Sequence, residues 1–267
     1  YLFFTKNYFT EKFIKEFGNP ISKLEELSQY HYDLVASVQR VAEEVAIEIL
    51  TNLHRKTSSE NIVVSGGFFM NSVLNGRILE RTPYQNIYIG GSPDDSGISI
   101  GSALYGLVFD KGLELKSTEP FKHNYFGKEY SDDVIVKELE KRKIKYEIVD
   151  DVEAFVAKRI SEKNIVGWFQ GRSEFGQRAL GNRSILADPT KSDIKDIVNS
   201  SIKYREGFRP FAPSVLKERQ NEYFIIPKEQ NAYFMEKVFM FKDEYKDKLP
   251  GVVHFDGTGR LQTVSKE

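Results

Sequence analysis

The chain has no cysteine, a net charge of only −1 and no long apolar run. Each absence removes a class of function. Without cysteine there are no disulfides, no thiol nucleophile and no cysteine-ligated zinc. With 38 basic against 39 acidic side chains, no global positive field draws the chain to nucleic acid or to an anionic membrane. No stretch approaches the ~18 apolar residues of a membrane helix, and Tyr1-Leu2-Phe3-Phe4-Thr5-Lys6 lacks the apolar centre of a signal peptide. The expectation is a soluble, cytoplasmic protein. What the chain does have is 267 residues, 40% hydrophobic and 13% aromatic, enough to fill the cores of two domains.

Strands alternate with helices along much of the chain, the pattern of an α/β fold. Asp33 can cap a helix from Leu34 to about His54, whose stripe Val38, Val41, Val45, Ile49 and Leu53 reads as core. The short apolar run Asn61 to Ser65 predicts a strand, followed by Gly66-Gly67 and a helix carrying Asn71, Leu74 and Ile78. A second strand, Asn86 to Gly90, leads through Asp94-Asp95-Ser96-Gly97 into a helix from Ile98 to about Val108. Periodicity fades between Gly112 and Lys128, which places a domain boundary near residue 115. Beyond it the pattern predicts a helix Asp132 to Arg142, a strand Lys145 to Val149, a helix Val152 to about Lys163, a buried strand Ile165 to Phe169 with Trp168 and Phe169 in the core, and a helix Asp193 to Ile202.

The segment Gly171-Arg172-Ser173-Glu174-Phe175-Gly176-Gln177-Arg178-Ala179-Leu180-Gly181-Asn182-Arg183-Ser184 sets three arginines in twelve residues among glycines at every fifth position. Glycine costs about 1 kcal/mol relative to alanine inside a helix, so an irregular loop is expected. Guanidinium groups held close repel one another unless an anion lies between them, and their planar fork suits phosphate or carboxylate. Surface salt bridges are the competing reading. A second cluster, Lys203-Tyr204-Arg205-Glu206-Gly207-Phe208-Arg209-Pro210, puts three cations in seven residues beside a proline-bounded aromatic stretch. It reads as a second wall of the same pocket, with Arg209 on extended backbone.

Two turns in the first half also point to anions or metals. Ser65-Gly66-Gly67, between a strand and a helix, suits backbone approach to a phosphate, although Gly-Gly also serves merely to turn the chain. Asp94 and Asp95 at a strand-to-helix junction either bind a metal or cap the helix. His254, two residues before Asp256, has the makings of a general base, though a structural pair is the commoner arrangement.

The run Gly-Arg-x-Glu-Phe-Gly-x-Arg-Ala-Leu-Gly-x-Arg-Ser-Ile-Leu-Ala-Asp-Pro (Gly171 to Pro189), followed by Lys203 to Ser214, closely resembles the C-terminal domain of the O-carbamoyltransferases, the family of nodulation-factor, cephamycin and aminoglycoside carbamoyltransferases. His254 to Val264 is similar to its His-x-Asp-Gly-Thr-Ala-Arg pattern, with Gly259 where alanine is usual. The resemblance implies the C-terminal half of an actin/hexokinase-like ATPase domain (1–115) followed by a YrdC-like α/β domain (116–267). It also implies a fragment of a longer protein, cut at both ends.

The resemblance further implies that carbamoyl phosphate is broken to carbamate and phosphate, that carbamate attacks the α-phosphate of ATP, and that the resulting carbamoyl adenylate passes its carbamoyl group to an acceptor alcohol. Arg172, Arg178, Arg183, Lys203 and Arg209 would then be catalytic, with Ser184, Arg205 and Arg260 binding substrate. Ser65, Gly66, Gly67 and Asn71 match the family's Gly-Gly-x-x-x-Asn nucleotide segment, and Asp95 matches an aspartate of its divalent metal site (Fe, Mn or Mg). Asp94 stands where glycine is usual, and none of His31, His54, His123 and His254 has the spacing of the family's His-x-x-x-His ligands. A small-molecule kinase of the actin/hexokinase-like class and a non-catalytic phosphometabolite sensor are the rival readings.

Overall fold

The computed structural model describes residues 9–21, 26–114 and 120–265. The expected domain boundary at 115/116 lies outside these residues. The chain divides into two units between Glu48 and Ile49.

In the first unit, Thr10 Oγ1 accepts the Phe13 N–H at 3.2 Å and starts α1, Glu11–Phe17. Helix α2, Gln29–Thr57, begins upstream of the expected cap. The Ser28 N–H donates to His31 Nδ1 at 3.0 Å at its start, while Asp33 lies inside the helix and accepts from Gln29 Nε2 at 2.8 Å. The expected core stripe is a correction: Val38, Val41, Val45, Ile49 and Leu53 are all exposed, and Glu43, Ala46 and Leu50 are the buried positions. Periodicity identifies an apolar face but not what covers it, and none of the described residues covers this one.

The second unit begins within α2, and two parallel strands follow, β1 Asn61–Val64 and β2 Asn86–Ile89, in register Ile62↔Ile87 and Val64↔Ile89. Helix α3, Ser72–Arg81, crosses between them, and its Asn71 cap accepts from the Leu74 N–H at 3.1 Å. Helix α4, Ile98–Tyr105, continues into a π turn to Asp110, in line with the helix expected there. Helices α5, Asp132–Lys141, and α6, Val152–Ser161, follow, the latter capped by Asp151. Between them Lys145 to Val149 forms no strand: it has no ladder partner among the described residues, and Ile148 is 83% exposed. Alternating apolar residues make a strand only where a neighbour pairs with them.

Strand β3, Val166–Phe169, pairs antiparallel with β4, Arg183–Leu186, so the arginine loop is the connection of a hairpin. Phe169, expected in the core, is 53% exposed. Helix α7, Ile194–Val198, runs into a π turn ending at Lys203, after which Tyr204 takes a left-handed conformation (φ 47°). The remaining elements are β5 Ser214–Leu216, α8 Gln220–Tyr223, β6 Phe224–Ile225, β7 Lys237–Phe241, α9 Asp243–Lys246 and β8 Thr258–Val264. The four strands form one sheet in the order β5-β8-β7-β6, parallel only between β5 and β8. Phe224, Ala232, Phe239, Phe241, Val252 and Leu261 form its core, with the Phe224 and Phe241 rings 4.1 Å apart. Helix α3 packs directly on β7, where Gly76 meets the Val238 carbonyl so closely that a Cβ would lie 2.0 Å from its oxygen. The described residues thus form a mixed α/β protein with small sheets.

Candidate functional site

The hairpin loop is shaped around its own single acid. Glu174 Oε1 accepts from the backbone N–H groups of Leu180 (2.7 Å), Asn182 (2.8 Å) and Arg183 (3.1 Å). Burial pushes its carboxyl up, but these N–H groups outweigh burial and hold it below its ordinary range. Ser184 Oγ accepts from the Gly181 N–H at 2.9 Å, and Asn182 Nδ2 donates to the Arg172 carbonyl at 2.6 Å. Gly176 (φ 106°) lets the loop reach the turn after β2, where a Cβ would lie 2.2 Å from Ser92 Oγ. Tyr125 Oη and Gln262 Nε2 both donate to the Leu180 carbonyl, tying the loop to β8.

Within this frame the arginines take different positions. Arg178 is half-buried, and its guanidinium donates to the carbonyls of Phe234 (2.8 Å) and Met70 (3.4 Å). Burial pushes its pKa down, and Glu236 opposes the fall. Arg260, on β8, is pushed down to about 10 by burial first and then by the charges of Arg178 and Arg205, which lie within electrostatic reach of it. Arg260 Nε is buried and has no hydrogen-bond partner among the described residues. Arg205 is held by Asn199, whose Oδ1 accepts from its Nε at 2.7 Å, and it lies over the Phe211 ring. Three half-buried cations within electrostatic reach of one another would be relieved by an anion to share.

The other predicted residues lie outside this cluster. Arg183 stacks on Phe169, 3.5 Å from the ring centroid, and donates to the carbonyls of Gln170, Asn182, Gly171 and Lys128. Arg172 is 3.6 Å from Glu129, and Arg209 pairs with Glu206 at 2.8 Å. Lys203 is exposed at the end of its π turn.

The glycine turn of the first half meets this site. Residues Gly67–Met70 form a 3-10 turn whose last carbonyl is the one Arg178 reaches. The Gly66 N–H (2.6 Å) and Ser65 Oγ (3.2 Å) both donate to the Pro93 carbonyl, and Asn71 is the helix cap. Space is open beside Gly66 and Gly67. Asp95 opens a second 3-10 turn, and Asp94 accepts from Ser96 Oγ at 2.6 Å without bonding the helix N-terminus. Among the described residues no three His, Cys, Asp or Glu come together to hold a metal ion, so the residues present do not complete a metal site at Asp95.

Sequence reasoning passed over Glu174, Asn199 and Glu236. Glu174 was findable, as the only acid among three arginines. Glu236 was not: its carboxylate is buried beside Lys237 and accepts from the Phe234 N–H at 2.8 Å, a placement only the sheet creates.

Half-buried guanidinium groups thus lie by a glycine-shaped loop that meets a second glycine turn, within a mixed α/β protein. The comparisons with known proteins narrow that class. Residues 2–104 match the Carbamoyltransferase N-terminus and residues 157–267 the Carbamoyltransferase C-terminus; the chain belongs to the carbamoyltransferase family of enzymes. It is 39% identical to Nodulation protein NolNO of Sinorhizobium fredii, over 90% of this chain and 35% of that protein. It is 34% identical to Nodulation protein NolO of Bradyrhizobium diazoefficiens, over 90% of this chain and 44% of that protein. With Nodulation protein U of Sinorhizobium fredii it shares 32% identity, over 88% of this chain and 40% of that protein. The chain therefore spans well under half the length of these relatives. Among the described residues no helix is long and apolar enough to cross a membrane.

Proposed function

We propose that the protein containing this chain is an ATP-dependent O-carbamoyltransferase of the cytoplasm, in which an actin/hexokinase-like domain and a YrdC-like domain share the work. The observation that carries the reading is the half-buried group of Arg178, Arg205 and Arg260, with Arg260 pushed down by burial and then by the charges of the other two. Carbamoyl phosphate fits it as an anion whose charge several fixed cations can neutralise without proton transfer. Water adds at the carbamoyl carbon, the C–O bond to phosphate breaks, and carbamate and phosphate result. Carbamate oxygen then attacks the α-phosphate of ATP, giving carbamoyl adenylate and pyrophosphate, and an acceptor hydroxyl takes the carbamoyl group. A site closed to bulk water suits this sequence, because carbamate decomposes in water.

In this reading Arg178, Arg205 and Arg260 bind and polarise the phosphoryl group. Arg172, Lys203 and Arg209 guide the anion at the rim, and Arg183 and Ser184 hold the loop. Ser65, Gly66, Gly67 and Asn71 form the ATP-facing turn, its N-terminal helix end favouring phosphate. Since the residues at Asp95 do not complete a metal site, no step here is routed through a metal.

The test is to incubate the full-length protein with ATP, with and without carbamoyl phosphate, and identify the products. Pyrophosphate that forms only with carbamoyl phosphate is the expected result. ADP would instead identify a small-molecule kinase, and binding without turnover a sensor.

A further inference from the structure

Two side chains tie the glycine turn to the segment that leads into β7, and they do so at neighbouring carbonyls. Arg178, from the hairpin loop, donates through Nη1 to the Phe234 carbonyl at 2.8 Å and through Nη2 to the Met70 carbonyl at 3.4 Å. Asn75, fully buried on α3, donates through Nδ2 to the Phe69 carbonyl at 2.7 Å and to the Glu236 carbonyl at 2.9 Å. Both partners of the amide are carbonyl oxygens, so its nitrogen must face them and both of its protons are used. Its Oδ1 is left without a partner among the described residues. The amide is thus held by the two bonds of the bridge and not by its oxygen.

On the β7 side both bridges end on a braced segment. Glu236 Oε2 accepts the Phe234 N–H at 2.8 Å across Met235, which is left-handed (φ 54°), and this fixes the Phe234 and Glu236 carbonyls relative to each other. Helix α3 is braced there too, since Gly76, next in sequence to Asn75, leaves no room for a Cβ against the Val238 carbonyl. On the side of the glycine turn the two bridges differ. Phe69 receives the short bond from Asn75, whereas the bond from Arg178 to Met70 is exposed and the longest of the four. Asn75 sets where the turn stands, and Arg178 reaches it from that placement.

We propose that Asn75 is a positioning residue that keeps the Met70 carbonyl within reach of Arg178 and so couples occupancy of the arginine loop to occupancy of the glycine turn. This rests on the reading of the loop as the carbamoyl phosphate site and of the turn as the ATP-facing one. An anion held on the remaining donors of the Arg178 fork restrains the guanidinium, and the restrained Nη2 restrains the Met70 carbonyl. A turn already ordered costs the nucleotide less to bind. The effect is reciprocal: each ligand raises the affinity of the other by the same factor.

The experiment measures binding of phosphonoacetamide and α,β-methylene-ATP, unreactive mimics of carbamoyl phosphate and ATP, to the full-length protein by calorimetry, each alone and with the other at saturation. In the wild type each should bind about fivefold tighter or more when the other is present. Asn75→Leu should bring that factor to about one, and Asn75→Ser, smaller and with one proton left, should lower it part of the way. Thr82→Val, which removes the buried bond from Thr82 Oγ1 to the Ile78 carbonyl on the same helix, should leave it unchanged. With 13C-methyl methionine, the Met70 methyl resonance of the wild type should shift on phosphonoacetamide alone, a readout that requires no variant to fold. Independent binding of the two probes in the wild type, an unmoved Met70 resonance, coupling retained in Asn75→Leu or coupling lost equally in Thr82→Val overturns the role of Asn75 and leaves the two sites standing. Failure of the wild type to bind either probe overturns the two-site reading as well.

Discussion

Two groups of arginine stand in different surroundings. The inner group of Arg178, Arg205 and Arg260 crowds like charge together, with Arg178 and Arg260 depressed by burial. The outer group of Arg172, Arg183 and Arg209 is matched to carboxylates, carbonyls or an aromatic ring. Residue type is the same in both. What separates them is like charge: Arg260 is pushed down by burial and then by the charges of Arg178 and Arg205, a condition that a bound anion would relieve, whereas Arg172 and Arg209 each pair with a carboxylate and Arg183 with carbonyls and a ring.

This contrast can be broken by mutation. Arg178→Ala should lower carbamoyl adenylate formation by about a hundredfold or more, measured as carbamoyl phosphate-dependent pyrophosphate release. Arg172→Ala and Arg209→Ala should each cost less than about threefold, as exposed ion pairs contribute little. The opposite ranking would reverse the comparison.

A smaller effect is expected at Glu174, which organises the loop without touching the cluster. Glu174→Ala should reduce adenylate formation by about tenfold by releasing three N–H groups, and Glu174→Gln, whose amide oxygen still accepts, should recover much of it. Because the folded carboxyl lies below its ordinary value of 4.5, its contribution to stability is complete above that pH and is lost as pH falls through the folded value. Acid unfolding curves should show this loss in the wild type and not in Glu174→Gln.

Arg183→Ala should lower unfolding free energy by about 1–2 kcal/mol through lost stacking and carbonyl contacts. Arg183→Lys should not restore it, because the planar fork is what reaches several carbonyls. Smallest is Asn71→Ala, about 1 kcal/mol for a helix cap, seen in the melting temperature. If nucleotide binding falls far more than stability does, Asn71 belongs to the site and not only to α3.

Much of the secondary structure was legible because local chemistry sets it. Gly66-Gly67 after a short apolar run, the helix starting at Val152 and the glycines of the arginine loop each depend on a few neighbouring residues. The failures are non-local. The stripe from Val38 to Leu53 identified a helix but not its buried face, and Lys145 to Val149 alternates without a strand to pair with. At the site, motif reading found the basic segments and named Arg205 and Arg260 as substrate-binding, but not which arginines come near one another. Only the packing of β8 against the hairpin loop brings Arg260 to Arg178.

Gly76 carries a lesson for anyone recombining members of this family. It lies in the stretch matched by the N-terminal half, and its contact, the Val238 carbonyl, lies in the stretch matched by the C-terminal half. The halves look like interchangeable modules, but here they interlock backbone to backbone. A chimera that joins this C-terminal half to a donor with any side chain at that position would have to push α3 off β7, and with it Asn75, whose amide bonds the Glu236 carbonyl. Single-residue compatibility at one helix position therefore decides which swaps yield a folded enzyme.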